Sequence, residues 1–143
     1  MPVTHVPVSV TDAATYSVLS DNAGLVHYVP NLTNSATLTL PTPKAGLWFE
    51  FVYAGVAADA QNFIIAAGSD TYFALGGVVH LDSDADAAGD EVVAVYPNGS
   101  SNSKLTVTTP GAGTRVRVES ANGTNWIFSG QVVSATAPAF ANN

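Results

Sequence analysis

The chain has 143 residues, enough for one domain with short terminal extensions, and its 47% hydrophobic content supplies a core and excludes global disorder. Charged residues are only 10%, well below the roughly 25% usual in soluble proteins. A net charge of −7 with four bases, Lys44, Lys104, Arg115 and Arg117, excludes the basic patch that phosphate binding needs, and the lack of cysteine excludes disulfides and thiolate metal sites.

Residues 1–10 alternate valine with polar residues around Pro2 and Pro7. They show neither the charged start nor the apolar run of a secretion signal. Residues 1–14 are therefore expected to form an extended arm, with Val3, His5, Val6 and Val8 as candidates for adding to the edge of another chain. Short apolar or alternating runs follow at 25–29, 36–40, 47–53, 63–67, 78–81, 91–96, 105–109, 114–119 and 124–132, bounded by Gly, Asp, Asn or Pro. No window carries the spacing of three and four that marks a helix, and the pattern of short strands between turn signals points to an all-β protein, an antiparallel β-sandwich or jelly-roll-like barrel. No internal repeat of 20–50 residues is evident.

The most specific local reading is a hairpin near the end. Arg115 and Arg117 fall on one face of a strand and Val116 and Val118 on the other. Asn122-Gly123 supplies the positive φ of a turn, and Trp126 and Phe128 return on one face of the partner strand. The domain is expected to span 15–132, leaving 133–143 as a small-residue tail whose one large apolar side chain, Phe140, is a candidate anchor on a neighbour. No apolar run reaches the ~18 residues of a membrane span, so neither membrane nor nucleic acid is expected as a partner, and the chain reads as made in the cytoplasm and soluble. Starting at Met1 and this short, it is expected to be a whole small protein more readily than one domain of a fibre.

Tests for chemistry find little. Asp82, Asp84 and Asp86 could converge oxygens on Ca²⁺, but counting an EF-hand loop from Asp82 places Ala87 and Val93 where glycine and glutamate are required. His27 and His80 sit among apolar neighbours without metal-ligand spacing. No Gly-x-Ser-x-Gly elbow is present, and Glu50, Glu91 and Glu119 each lie in or beside a strand with nothing to pair them as a glycosidase dyad. Residues 110–114 (Pro-Gly-Ala-Gly-Thr) lack the lysine of a P-loop. The chain is expected to be non-catalytic and to need no cofactor. Trp126, near the turn, is the candidate for stacking on a sugar.

Three stretches together resemble a module found in phage virion proteins, both head decoration proteins and tail-fibre domains. These are 16–29 (Tyr-Ser-Val-Leu-Ser-Asp-Asn-Ala-Gly-Leu-Val-His-Tyr-Val), then 36–41 (Ala-Thr-Leu-Thr-Leu-Pro) with 45–52 (Ala-Gly-Leu-Trp-Phe-Glu-Phe-Val), and 121–130 (Ala-Asn-Gly-Thr-Asn-Trp-Ile-Phe-Ser-Gly). The resemblance covers most of 15–132. It implies a virion structural protein, usually a homotrimer, whose termini dock on capsid or neighbouring subunits. The expected role is a capsid decoration, or cement, protein on the capsid surface, with the major capsid protein and itself as partners. The other role implied is a tail-fibre or receptor-binding domain that recognises host glycans, with Trp126 as its ring.

Overall fold

The structure, a computed structural model, describes residues 6–56, 58–84 and 92–143. Thirteen strands lie among them: β1 (Val8–Ser9), β2 (Thr15–Ser17), β3 (Val26–Val29), β4 (Ala36–Thr39), β5 (Trp48–Tyr53), β6 (Phe63–Ala66), β7 (Ala74–Gly76), β8 (Val78–Asp82), β9 (Val92–Val95), β10 (Lys104–Val107), β11 (Arg115–Glu119), β12 (Trp126–Ser134) and β13 (Ala139–Ala141). Two three-residue 3-10 turns, Ser20–Asn22 and Asp70–Tyr72, are the only helical elements among the described residues. The all-β expectation stands, and each of the nine runs expected to be strands overlaps one.

Two sheets pack face to face as a sandwich. Sheet A has the order β1-β3-β5-β11-β12-β8-β9, with β7 lying beside β12 ahead of β8, and sheet B runs β13-β10-β6-β4-β2. The pairing is mixed, which corrects the expectation of a purely antiparallel sandwich. β1, β3 and β5 are parallel neighbours, as are β2, β4 and β6, and the chain alternates between the two sheets as it passes from β1 to β6. The first half is thus a short parallel coil whose strands start at residues 8, 26 and 48 in one sheet and 15, 36 and 63 in the other. That is roughly 20 residues per turn, a solenoid-like spacing. The second half closes it with antiparallel strands: β10 on β6, β11 on β5, and β12 on β11.

Period-two alternation places the core. On β5, Phe49, Phe51 and Tyr53 point inward while Trp48, Glu50 and Val52 point out. β11 buries Val116 and Val118, and β12 buries Trp126, Phe128 and Val132, as the sequence predicts. From sheet B come Leu38, Phe63, Ile65, Leu105 and Val107. Each such side chain is worth about 1.5–3 kcal/mol when fully buried. The hairpin between β11 and β12 forms around Gly123 at φ +78°. Asn122 does not share the positive φ; its side-chain Oδ1 instead accepts from the amides of Thr124 (2.8 Å) and Asn125 (3.0 Å), so the loop is an Asx turn longer than two residues.

The described residues on either side of 15–132 also pair into the sandwich. β1 adds in parallel to the chain's own β3, with Val8 opposite His27. β12 continues through Val133 and Ser134, and β13 pairs antiparallel with β10. Phe140, expected to anchor on a neighbour, packs edge-on against Phe128 of the facing sheet, 5.4 Å between ring centroids. Asp70 fastens the end of the chain: its Oδ1 accepts from the Ser103 hydroxyl at 2.5 Å and the Asn143 amide at 2.6 Å, which holds its carboxyl below the usual range.

A second polar pin sits beside the coil. The Tyr53 hydroxyl donates to Asp59 Oδ2 at 2.7 Å, with Asn31 Oδ1 3.2 Å away, and the carboxylate also accepts from the amides of Leu32 and Gln61, both at 2.9 Å. Burial pushes the Asp59 carboxyl up, but the Tyr53 hydroxyl and the amides of Leu32, Gln61 and Ala60 outweigh it, and the net shift is down. Burial and the adjoining carboxylate push the Tyr53 phenol up to about 12. The pin needs glycine at 55, because a Cβ there would collide with the Tyr53 hydroxyl and Asn31 Oδ1.

Candidate functional site

The outer face of sheet A carries the most differentiated surface. Trp48, Glu50 and Val52 project from β5; the register sets Val26 and Tyr28 of β3 on one side and Glu119, Arg117 and Arg115 of β11 on the other. Arg115 Nη1 lies 2.8 Å from Glu50 Oε1, and the Arg117 guanidinium lies over the Trp48 ring, 4.1 Å from its centroid. Arg117 also approaches Glu119 at 3.8 Å. Exposed ion pairs of this kind contribute little, about 0–1 kcal/mol, and the cation–π contact about 0.5–1 kcal/mol. Of these contacts, only that of Arg117 touches Trp48.

Beside Trp48 opens a groove of about 310 Å³ lined by Val6, Pro7, Leu25, Val26 and Tyr28 together with Gly24 and the indole. Gly24 seats the backbone against β5, its amide donating to the Trp48 carbonyl at 2.8 Å. The lining side chains are apolar apart from the Tyr28 hydroxyl and the Trp48 indole N–H, and Val6 and Tyr28 are exposed. Such a surface can bind by shape and burial; it brings no acid, base or nucleophile together. Val6 thus lies on a surface open to a partner, whereas Val8 is half-buried within β1. Val3 and His5 lie outside the described residues.

Trp126 is not near the surface. It is 0% exposed, with Phe49 at 6.0 Å between ring centroids, so it cannot stack on a sugar in this fold. Its position on the inward parity of β12 is the physical reason, and the same parity predicted its partner Phe128 correctly. The indole Nε1 has no hydrogen-bond partner. The outward aromatic rings are those of Trp48 and Tyr28, and the clue in the sequence was the alternation through 47–53, where Phe49, Phe51 and Tyr53 claim the core.

The remaining candidates do not converge. Asp82 ends β8, and its Oδ1 accepts from the Asp84 amide at 2.9 Å, a local Asx turn; Asp86 and Glu91 lie outside the described residues. Among the described residues no cluster of three or more His, Asp or Glu is placed to hold a metal. His80 is buried with Nε2 2.9 Å from the Ser134 carbonyl. His27 is buried against Phe49 and Phe51, at 5.7 and 5.2 Å, with Nδ1 3.1 Å from the Leu25 carbonyl and Nε2 unpartnered. Burial holds the His27 imidazole below its usual pKa of 6.5, against the opposing pull of the Leu25 carbonyl.

Comparison with protein-family models, with curated proteins and with solved structures finds no match in any of the three.

Proposed function

We propose that this chain is a non-enzymatic structural protein of a phage particle, a decoration or cement protein that binds the major capsid protein and further copies of itself on the head shell. One observation supports this reading above the others: among the described residues, six of the eight exposed large apolar side chains gather at the two ends of sheet A, Leu19 and Val56 being the exceptions. Val6 and Tyr28 flank the Trp48 groove at one end, and Val79, Val92, Val93 and Tyr96 crowd the other. An isolated exposed valine is ordinary, whereas clusters of them on a surface poor in charge suit burial against other chains. On a shell presenting many equivalent sites, a modest contact repeated many times gains strength. The resemblance of 16–29, 36–52 and 121–130 to phage virion modules supplies the phage setting. The glycan-binding alternative loses its sugar-stacking residue with the burial of Trp126.

The experiment compares particles assembled with and without the chain. Particles lacking it lose resistance to heat, and adding back the native protein restores it, whereas Trp48→Ala combined with Tyr28→Lys binds poorly and restores little. Equal heat resistance without the chain, together with no co-sedimentation of the purified protein with particles, refutes the proposal.

A further inference from the structure

We infer that β9 is a self-association edge that pairs antiparallel with β9 of a second copy about a twofold axis; this rests on the reading above that the chain works by association. β9 is the last strand of sheet A, bonded to β8 on one side, and among the described residues nothing bonds its other side. Its four residues, Val-Val-Ala-Val, contain none of the devices that protect a free edge: no proline, no charge and no glycine. The other edges differ, β7 being three residues long and ending in Gly76. β1 has two residues, β2 is Thr-Tyr-Ser, and β13 has three residues with Phe140 turned to the core.

β9 is also apolar on both of its faces. Val92 is 73% exposed on the side it shares with Val79 (38%), Val93 is 44% exposed on the side it shares with His80, and Tyr96 just beyond is 72% exposed. Sheet A extends beyond the cover of sheet B here, which is why the inward-parity Val93 is open while Val78 and His80 behind it are buried. A strand open on both faces except at Val95, which packs against the core, and free along one edge is completed by a like strand, which offers backbone partners and apolar pairs together.

Charge selects the antiparallel arrangement. The chain is acidic, and five of its acids, Asp82, Asp84, Asp86, Asp90 and Glu91, lie in the sequence between the end of β8 and the start of β9. Parallel pairing would set two such acidic ends side by side. Antiparallel pairing separates the Val92 ends of the two strands, the ends that follow the acidic stretch in sequence, by about 14 Å, more than a physiological Debye length.

Sedimentation velocity of the full chain over a concentration series tests this without any virus particle. The expected result is a dimer whose dissociation constant rises about 100-fold or more in Val92→Lys, a substitution at an exposed site that leaves the melting temperature unchanged when both proteins are diluted to monomers. Leu19→Lys, which removes an exposed apolar side chain elsewhere, leaves the dimer intact. A monomer at all concentrations overturns the inference, as does a trimer or a Val92→Lys protein that associates like the native one. A monomeric chain that still stabilises shells removes this inference alone; a dimer that never binds shells removes the shell-binding reading alone.

Discussion

Replacing Tyr53 with phenylalanine isolates the pin that locks the coil. The substitution keeps the ring in the core and deletes one hydroxyl, which donates to the Asp59 carboxylate at 2.7 Å. Hydrogen bonds to a charged group contribute about 1.5–3 kcal/mol, so a loss of about 2 kcal/mol is expected at neutral pH. For a chain of this length unfolding entropy is about 0.3 kcal/mol/K, and the melting temperature should fall by about 7 °C. The pH dependence sharpens the test. The folded pKa of Asp59 lies below its ordinary value of 3.8, so its contribution is fully present above 3.8 and is lost as pH falls through the folded pKa. The gap between native and variant should therefore narrow toward about 1 kcal/mol, the worth of a neutral hydrogen bond, in calorimetric melts taken at increasingly acid pH. A variant as stable as the native protein at neutral pH, or a gap that stays constant as the pH falls, would refute the reasoning.

Three further outcomes follow from the same packing. Gly55→Ala drives a methyl group into the Tyr53 hydroxyl and Asn31 and should cost about 1–3 kcal/mol in a denaturant melt; a neutral result would mean that the pin is not closed as described. His27, neutral in the fold with a depressed pKa, stabilises fully above about 6.5 and loses that contribution as pH falls through its folded value. His27→Leu should accordingly flatten the stability profile between about pH 7 and 5, and an unaltered slope counts against a buried, neutral imidazole. Trp126→Ala should destabilise the fold by about 3–5 kcal/mol, as emptying a core aromatic site does, whereas a variant of native stability would show that the indole is not packed.

Much of the architecture is written in local alternation. The runs that became β5, β11 and β12 declare their buried faces residue by residue, because a strand with one buried face must alternate with period two. The parallel coil is not legible in the same way. Its stacked columns hold unlike residues: Val8 over His27 over Phe51, and Tyr16 over Leu38 over Ile65. Backbone pairing and burial ask only that each be apolar or neutral, so nothing forces a repeated motif, and unequal loops obscure the period. The strands missed, β1, β2, β7 and β13, have two or three residues each, too few for any pattern to emerge. They are held by neighbours already in place.

The candidate surface was half legible. Val6 is one of several valines alternating with polar residues through 1–10, and its groove is made by Leu25, Val26, Tyr28 and Trp48, residues brought together only when β3 stacks on β5. Trp126 illustrates the converse. Closeness to a turn made it the candidate for stacking on a sugar, but the inward parity of β12, which it shares with Phe128, decides its burial.

The most direct test of the account is a density map of the purified particle resolved well enough to trace this chain. The account predicts copies seated on the shell with Val6, Tyr28 and Trp48 covered by the capsid protein. Particles that carry no copy, or copies whose groove faces open solvent, would contradict it.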